Sequence, residues 1–379
     1  MFKKHKFFFG SIIALLIIGM VPTTYVLYKI YEYKTYIWLP SYILKGEKNK
    51  IKDIKNGHVM FLFVDHHEPG YSEKGPENEK NWCLDYKENI QGLFDDFENP
   101  FQYSWFYAYD HLNFKSLSYL NELVYSGLGE IELHWHHGPD DIDSFSNKLK
   151  GAIDWYKQAG SLISSDEKGS THFGFIHGNW CLDNSCGDDS KCGVNRELDV
   201  LKQHGCYADF TFSTLSTISQ PKLVNRIYYA KDSNEQKSYN QGIVSHVGIK
   251  PEGLMIFQGP ICWDWKDLQW DDAAFEPGSP FKPHRIKLWL DWAPSVTGKP
   301  DWLFVKVHTH GIQAKSLILS ENFREMVLEL KQYCKENNLF LHFVTSREAY
   351  NIVKAAENGK QGNPEDYRDY IIKKPRNRG

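Results

Sequence analysis

What this chain has little of narrows its function before any motif is read. Positive charge is not in excess: 44 Lys and Arg stand against 48 Asp and Glu, a formal net charge of -4. No basic stripe results, which argues against nucleic acid as a partner. No GxGxxG or Walker-type loop follows the first strand-like run, which removes the usual nucleotide-binding readings. Cysteine is sparse at 7, an odd number, and never forms the CxxC pairs of ordinary structural zinc sites. Cys181, Cys186 and Cys192 share the turn-rich loop CLDNSCGDDSKCG, where a disulfide such as Cys186–Cys192 is favoured over zinc, with buried free thiols as the alternative. Low-complexity sequence is missing from 58 to about 354.

What is present is a series of eight short strand-like runs: 58–70, 101–110, 130–138, 171–180, 207–212, 254–260, 302–311 and 339–346. Candidate helices fall between them at 84–98, 114–127, 141–160, 194–205 and 321–338. In the last, Phe323, Met326, Val327, Leu330 and Cys334 recur at helical spacing. Strand and helix in alternation predict a parallel sheet, and eight repeats point to closure into a distorted (β/α)7-8 TIM-like barrel over 58–356. Polar residues massed at the carboxyl ends of such strands mark the expected active site.

Four segments stand apart from that series. MFKKHK precedes 22 uncharged residues (7–28), enough to cross a hydrocarbon core of roughly 30 Å. Residues 1–28 therefore read as an uncleaved transmembrane anchor, with Lys3, Lys4 and Lys6 favouring a cytoplasmic amino terminus and an extracytoplasmic body. Tyr25, Tyr28, Tyr31, Tyr33, Tyr36 and Trp38 resemble an interfacial aromatic belt where the anchor passes into a juxtamembrane linker, 29–57. The polar tail, 357–379, is expected to pack loosely or not at all. The long connection 261–301 carries Trp263, Trp265, Trp270, Trp289 and Trp292, some of which are expected to line a saccharide groove, with burial as a satellite core the alternative for each.

Histidine carries the chemistry. The first strand runs into Asp65, His66, His67 and Glu68, a titratable cluster whose burial is costly without pairing or a metal. The third leaves through His134, His136 and His137, of which 134 and 136 share a strand face and 137 can return after a turn. Imidazoles in that density point to metal ligation, and an open zinc-like site lowers the pKa of a bound water to about 7. His308 and His310 on the seventh strand are candidate proton donors. His177, Asn179 and Trp180 on the fourth are candidates to orient substrate or an oxyanion. Asp183, Asp209 and Arg347 are candidate supporting residues at other strand ends.

The stretches FVDHHEPG, ELHWHHGPDD, FGFIHGNWCLDNS, CGVNRELDVLKQHGCYADFTF, RIYYAKD, FVKVHTHG and VTSREAYNIVKAAENG together resemble the polysaccharide deacetylase superfamily. This is the NodB-homology or carbohydrate esterase family 4 type, and the likeness is greatest to a divergent WbmS-like branch. The resemblance implies a distorted barrel, a divalent metal, usually zinc, and a saccharide substrate. It makes Asp65 the base and His66 the replacement for a metal-binding aspartate, or the reverse, with Asp65 on the metal. It makes His134 one histidine of the family's HxxxH motif, with His136 or His137 supplying the other, because Gly138 stands at the second position. It matches the late-strand histidine to His308 or His310. The family's Arg-Pro motif is replaced by HGNW, so its arginine does not carry over.

Together these readings lead to the expectation of a membrane-anchored, metal-dependent hydrolase that removes an acyl group from an amino sugar of a surface polysaccharide. The alternatives are a glycoside hydrolase or lyase, for which Glu68, Asp140 and Asp264 form no evident pair of facing carboxylates, and a non-catalytic saccharide-binding or assembly protein.

Overall fold

The computed structural model describes residue 24 and residues 26–45, 48–70, 75–160, 164–165 and 170–374. The proposed span at 7–28 lies largely outside these. No helix among the described residues is long and apolar enough to cross a membrane.

The described chain is a mixed α/β fold around a parallel central sheet. In order it runs α1 (Thr35–Lys45), β1 (Gly57–His67), α2 (Gly75–Asn89), β2 (Tyr103–Ala108), α3 (Phe114–Tyr125), β3 (Gly129–Trp135), α4 (Ile142–Gln158) and β4 (Thr171–His177). It continues with α5 (Glu197–Gln203), β5 (Cys206–Asp209), β6 (Ile227–Ala230), β7 (Leu254–Phe257), α6 (His284–Trp292), β8 (Trp302–Thr309), α7 (Glu321–Glu336), β9 (Leu339–Phe343) and α8 (Ser346–Glu357). All eight anticipated runs form strands; seven pair in parallel in the order β8-β1-β2-β3-β4-β5-β7, with antiparallel β6 beyond β7, and the eighth, β9, pairs with β1 off this path. This is compatible with a barrel-like domain, although its strand order departs from a simple ring. β9 pairs with Gly57–Phe61 of β1 while β2 pairs with Phe63–His67, so two strands share one edge of β1. Among the described residues no strand pairing joins β7 to β8; the Phe257 and Phe304 rings meet there instead, 5.7 Å apart.

The pleat of the sheet sorts its side chains into two apolar layers. Met60, Leu62, Val64, Phe106, Ile176, Phe210, Phe257 and Phe304 pack together on one face, here the inner face. Val59, Phe61, Phe63, Tyr103, Trp105, Phe175 and Val305 pack on the outer face against the helices. The predicted stripe of α7 is buried at each of its five positions. The helix expected at 84–98 instead begins at Gly75, with Pro76 in its first turn, where proline is tolerated, and ends before Gly92, whose φ is +79°.

The described segments on either side of the strand series are more tightly held than their composition suggests. Within the segment read as a linker, α1 docks on the body through a fully buried Trp38, packed with Val224 and Ile261. Trp38 therefore does not belong to an interfacial belt, whereas Tyr28, Tyr31 and Tyr36 are exposed. Nor does the tail hang loose: Arg347 donates to the Ile372 carbonyl and pairs with Asp369, and Ile372 is buried. The tryptophans of the 261–301 connection divide accordingly. Trp289 is wholly buried, Trp270 meets Trp38 at 4.7 Å, Trp292 stacks on Tyr42 at 4.3 Å, and Trp265 is exposed.

Candidate metal centre at the carboxyl end of the sheet

Successive residues of a strand point to opposite faces. His66 therefore continues the inner series Met60, Leu62, Val64, while Asp65 and His67 continue the outer one. The inner residues at the ends of β1 and β3 converge. The His66 ring lies 5.1 Å from His134 and 4.6 Å from His310, and His134 lies 4.6 Å from His136. Glu68, just past β1, brings a carboxylate oxygen to 3.0 Å from His134 Nε2 and 3.4 Å from His136 Nε2. One ligand atom each from His66, Glu68 and His134 lies within 4.8 Å of the others.

The hydrogen bonds around these rings fix which nitrogen faces the cluster. A carbonyl only accepts, so His134 Nδ1–H donates to the Ile176 carbonyl at 2.9 Å, and Nε2 is the nitrogen turned toward Glu68. The His66 ring has no hydrogen-bond or ion-pair partner among the described residues. Burial, reinforced by His310, His134, His308 and Lys306, holds His66 well below 6.5, so it stays neutral with lone pairs to offer. Burial pushes the Glu68 carboxyl up, but hydrogen bonds and charge from His134 and His136 outweigh it and hold Glu68 well below the usual carboxylate range. Two imidazoles and a carboxylate are donors suited to zinc.

Two further imidazoles flank this group, each oriented by a carboxylate. His136 Nδ1 meets Asp110 at 3.1 Å, and His310 Nδ1 meets Glu276 at 2.8 Å. Burial opposes protonation in both, yet the carboxylate partners prevail, raising His310 and taking His136 to about 9. Trp180 stands beside them, its ring 6.1 Å from His66 and 6.0 Å from His310. The turn that carries it is strained, with φ of +55° at Asn179 and +56° at Trp180, and such backbone concentrates at functional sites. A cleft of about 310 Å³ lined by Gly70, Tyr109, Asp110, His111 and Trp135 opens next to the Asp110–His136 pair. A larger groove of about 750 Å³ near Asp85, Lys315 and Arg324 touches none of these histidines.

Other candidates lie elsewhere. Asp65 is fully buried on the outer face, where His67 Nδ1 (2.8 Å), the Tyr103 hydroxyl (3.1 Å) and the Gly311 N–H (2.5 Å) occupy its oxygens. Neither base nor metal ligand fits that position, because the pleat turns Asp65 away from His66. His67 bridges Asp65 to Glu79 at 2.8 Å; burial would lower it, but Glu79 and Asp65 push it up to about 10. His308 shares the inner face with Lys306, and its Nδ1 has no partner. Burial, then Lys306 and His310, hold it well below 6.5, so His310 is the better placed and better oriented proton carrier.

His137 and His177 are sealed in a separate outer-face pocket with Cys192 and Glu197, so neither ligates at the first cluster and His177 cannot touch a saccharide. Asn179 is exposed and beside Trp180. Asp209 is tied to Thr211 (2.7 Å), Asp183 accepts from Ser238 N–H (2.6 Å), and Arg347 is locked onto Glu130 (2.7 Å). The disulfide is Cys181–Cys186, and Cys192 is left as a buried thiol. Sequence reasoning overlooked Asp110 and Glu276, which lie 26 and 34 positions from their histidines. No local spacing signals such pairs. Glu68 was visible only as a carboxylate next to the histidines.

No protein-family model matches this sequence, and no curated protein matches it.

Proposed function

We propose that this chain is a membrane-anchored, metal-dependent hydrolase of the deacetylase type, on a distorted barrel, that removes an acyl group from an amino sugar of a surface polysaccharide. The observation that carries the reading is the convergence of His66, Glu68 and His134, with an unpartnered neutral imidazole among them. A divalent cation such as zinc held by these three residues supplies Lewis-acid chemistry for a carbonyl substrate.

The remaining roles follow from position. His136, oriented by Asp110, would take a proton at Nε2 only once the proton that Asp110 and Glu68 hold on its ring had been displaced by a cation on Glu68; in that role it would stand in for Asp65, which the pleat removes from the site. His310, oriented by Glu276, returns a proton from Nε2 to the departing amine. Paired carboxylates hold both rings in one orientation, as in other imidazole–carboxylate dyads. Trp180 offers an apolar wall on which a sugar ring stacks. The carboxylates near the cluster each pair with an imidazole, so the two facing carboxylates of an ordinary glycosidase are not the arrangement favoured here.

The test is acyl release from N-acetylated amino-sugar oligomers by the full chain in detergent, with metal content measured alongside. His134→Ala and His66→Ala should each lose this metal equivalent and its chelator-sensitive turnover. His310→Ala should keep the metal and lose on the order of 10²–10⁴-fold in kcat. Turnover indifferent to chelation, or full metal retention in both ligand variants, would overturn the proposal.

A further inference from the structure

The second histidine group is unlike the first in being sealed. His137 is 4% exposed, and His177, Cys192 and Glu197 are each 0% exposed. They arrive from separate places: His137 just beyond β3, His177 at the end of β4, Cys192 in the following loop, and Glu197 as the first residue of α5. One ligand atom from each lies within 4.8 Å of the other three.

Their partners leave the ligand atoms pointing inward. His177 Nδ1–H donates to the Gly178 carbonyl at 2.5 Å, which turns the Nε2 lone pair into the group. That Nε2 is buried and has no hydrogen-bond partner; the nearest carboxylate oxygen, of Glu197, is 3.6 Å away. His137 Nδ1 is 3.2 Å from Asp140, itself held by Ser144 and Lys148 at 2.6 Å each, and Nε2 faces Glu197 at 3.0 Å. A carboxylate behind a histidine, fixing its far nitrogen, is the usual support of a metal-binding imidazole. The Cys192 thiol donates to Glu197 Oε2 at 3.4 Å, which sets the sulfur beside the carboxylate.

We infer that His137, His177, Cys192 and Glu197 form a closed, four-ligand structural zinc site, distinct from the cluster at His66. Two histidines, a thiolate and a carboxylate are a borderline-soft set of the right number, and they leave no open position, as in structural rather than catalytic zinc sites. The charges also close: thiolate and carboxylate together carry -2, which a divalent cation cancels, so no net charge is buried. Gly138 makes room for the arrangement. Its φ is +130°, and a Cβ there would lie 2.7 Å from the Cys192 nitrogen and from the Ser190 carbonyl, so no other residue lets the Cys192 loop approach so closely. The site pins both ends of 178–196, the segment that carries Trp180 to the first cluster.

The competing arrangement is a metal-free network in which a charged His137 bridges Asp140 and Glu197. The two separate cleanly on the full chain purified in detergent, stripped by prolonged chelation and then subjected to metal analysis and zinc X-ray absorption. One zinc per chain should resist chelation and show a single sulfur neighbour at about 2.3 Å. That sulfur should vanish in Cys192→Ser and persist in His66→Ala, which also separates this site from the proposed catalytic one. Because the wild-type spectrum is itself decisive, misfolding of a variant does not blunt the test. Loss of all zinc on chelation, a spectrum without sulfur, or a sulfur neighbour that survives Cys192→Ser overturns the assignment.

Discussion

Asp65 shows how much one residue's facing decides. The family resemblance makes it a base or a metal ligand, yet its oxygens are consumed by His67, Tyr103 and Gly311. Gly311 follows His310, so Asp65 acts on the site only by holding that backbone. There is no space for more, since a Cβ on Gly311 would come within 2.3 Å of the carboxylate. Asp65→Asn should cost about 3 kcal/mol, the typical result of removing one member of a buried charged group. Turnover per folded molecule should change far less than in His310→Ala. Urea unfolding and kcat measured on the same preparations decide it; normal stability with abolished turnover would restore Asp65 as the base. The sequence pattern alone contained the means to see this. The same alternation that pairs His134 with His136 on one face separates Asp65 from His66, and β1 is straight enough for the rule to hold through His67.

At the scale of elements, the alternation of strands and helices was legible because each strand run is short, apolar and ended by turn residues. The predicted face of α7 was legible because its apolar residues recur at helical spacing. Pairing was not. That β9 wedges beside β1 rather than completing a ring depends on contacts some 280 positions apart, which no local pattern encodes. The dyads Asp110–His136 and Glu276–His310 were hidden for the same reason. The docking of α1 is another such contact, and it carries a practical consequence. A chain beginning at residue 48 would keep every strand but lose Trp38, uncovering Val224, Ile261 and Trp270. Within the intact chain, Trp38→Ala should weaken the docking of α1 by about 3–5 kcal/mol, the usual cost of emptying a buried tryptophan site. Limited proteolysis should then cut between α1 and β1 at protease levels that leave the wild type whole. Equal resistance in the two would mean that α1 is held by something other than its tryptophan.

Across the whole molecule, the C-terminal tail and the start of the sheet are joined by one polar relay. His58 on β1 meets His342 on β9 at 2.8 Å, His342 meets Glu365 in the tail at 2.5 Å, and Arg368 closes the chain onto Glu365 at 2.6 Å. Burial, then the proximity of His342, lowers His58 from 6.5 to about 4. Burial alone would raise Glu365, but hydrogen bonds and charge from His342 and Arg368 bring it from 4.5 down to about 2. Both folded values are depressed, so both groups bind protons more tightly in the unfolded chain. Their contribution to stability is therefore complete above the unfolded value and is lost as pH falls. His58 should make the fold lose stability from pH 6.5 down to about 4, and Glu365 should extend the loss from 4.5 down to about 2. Urea midpoints of the wild type should fall across the first interval, while those of His58→Gln should fall less steeply there and converge with the wild type at its lower end. The relay lies on β1, β9 and the tail, apart from the proposed metal ligands, and wild type and variant are compared at equal metal content because protons also compete for those ligands as pH falls. Parallel slopes in wild type and variant between pH 6.5 and 4 would place the acid sensitivity elsewhere and leave His58 a bystander.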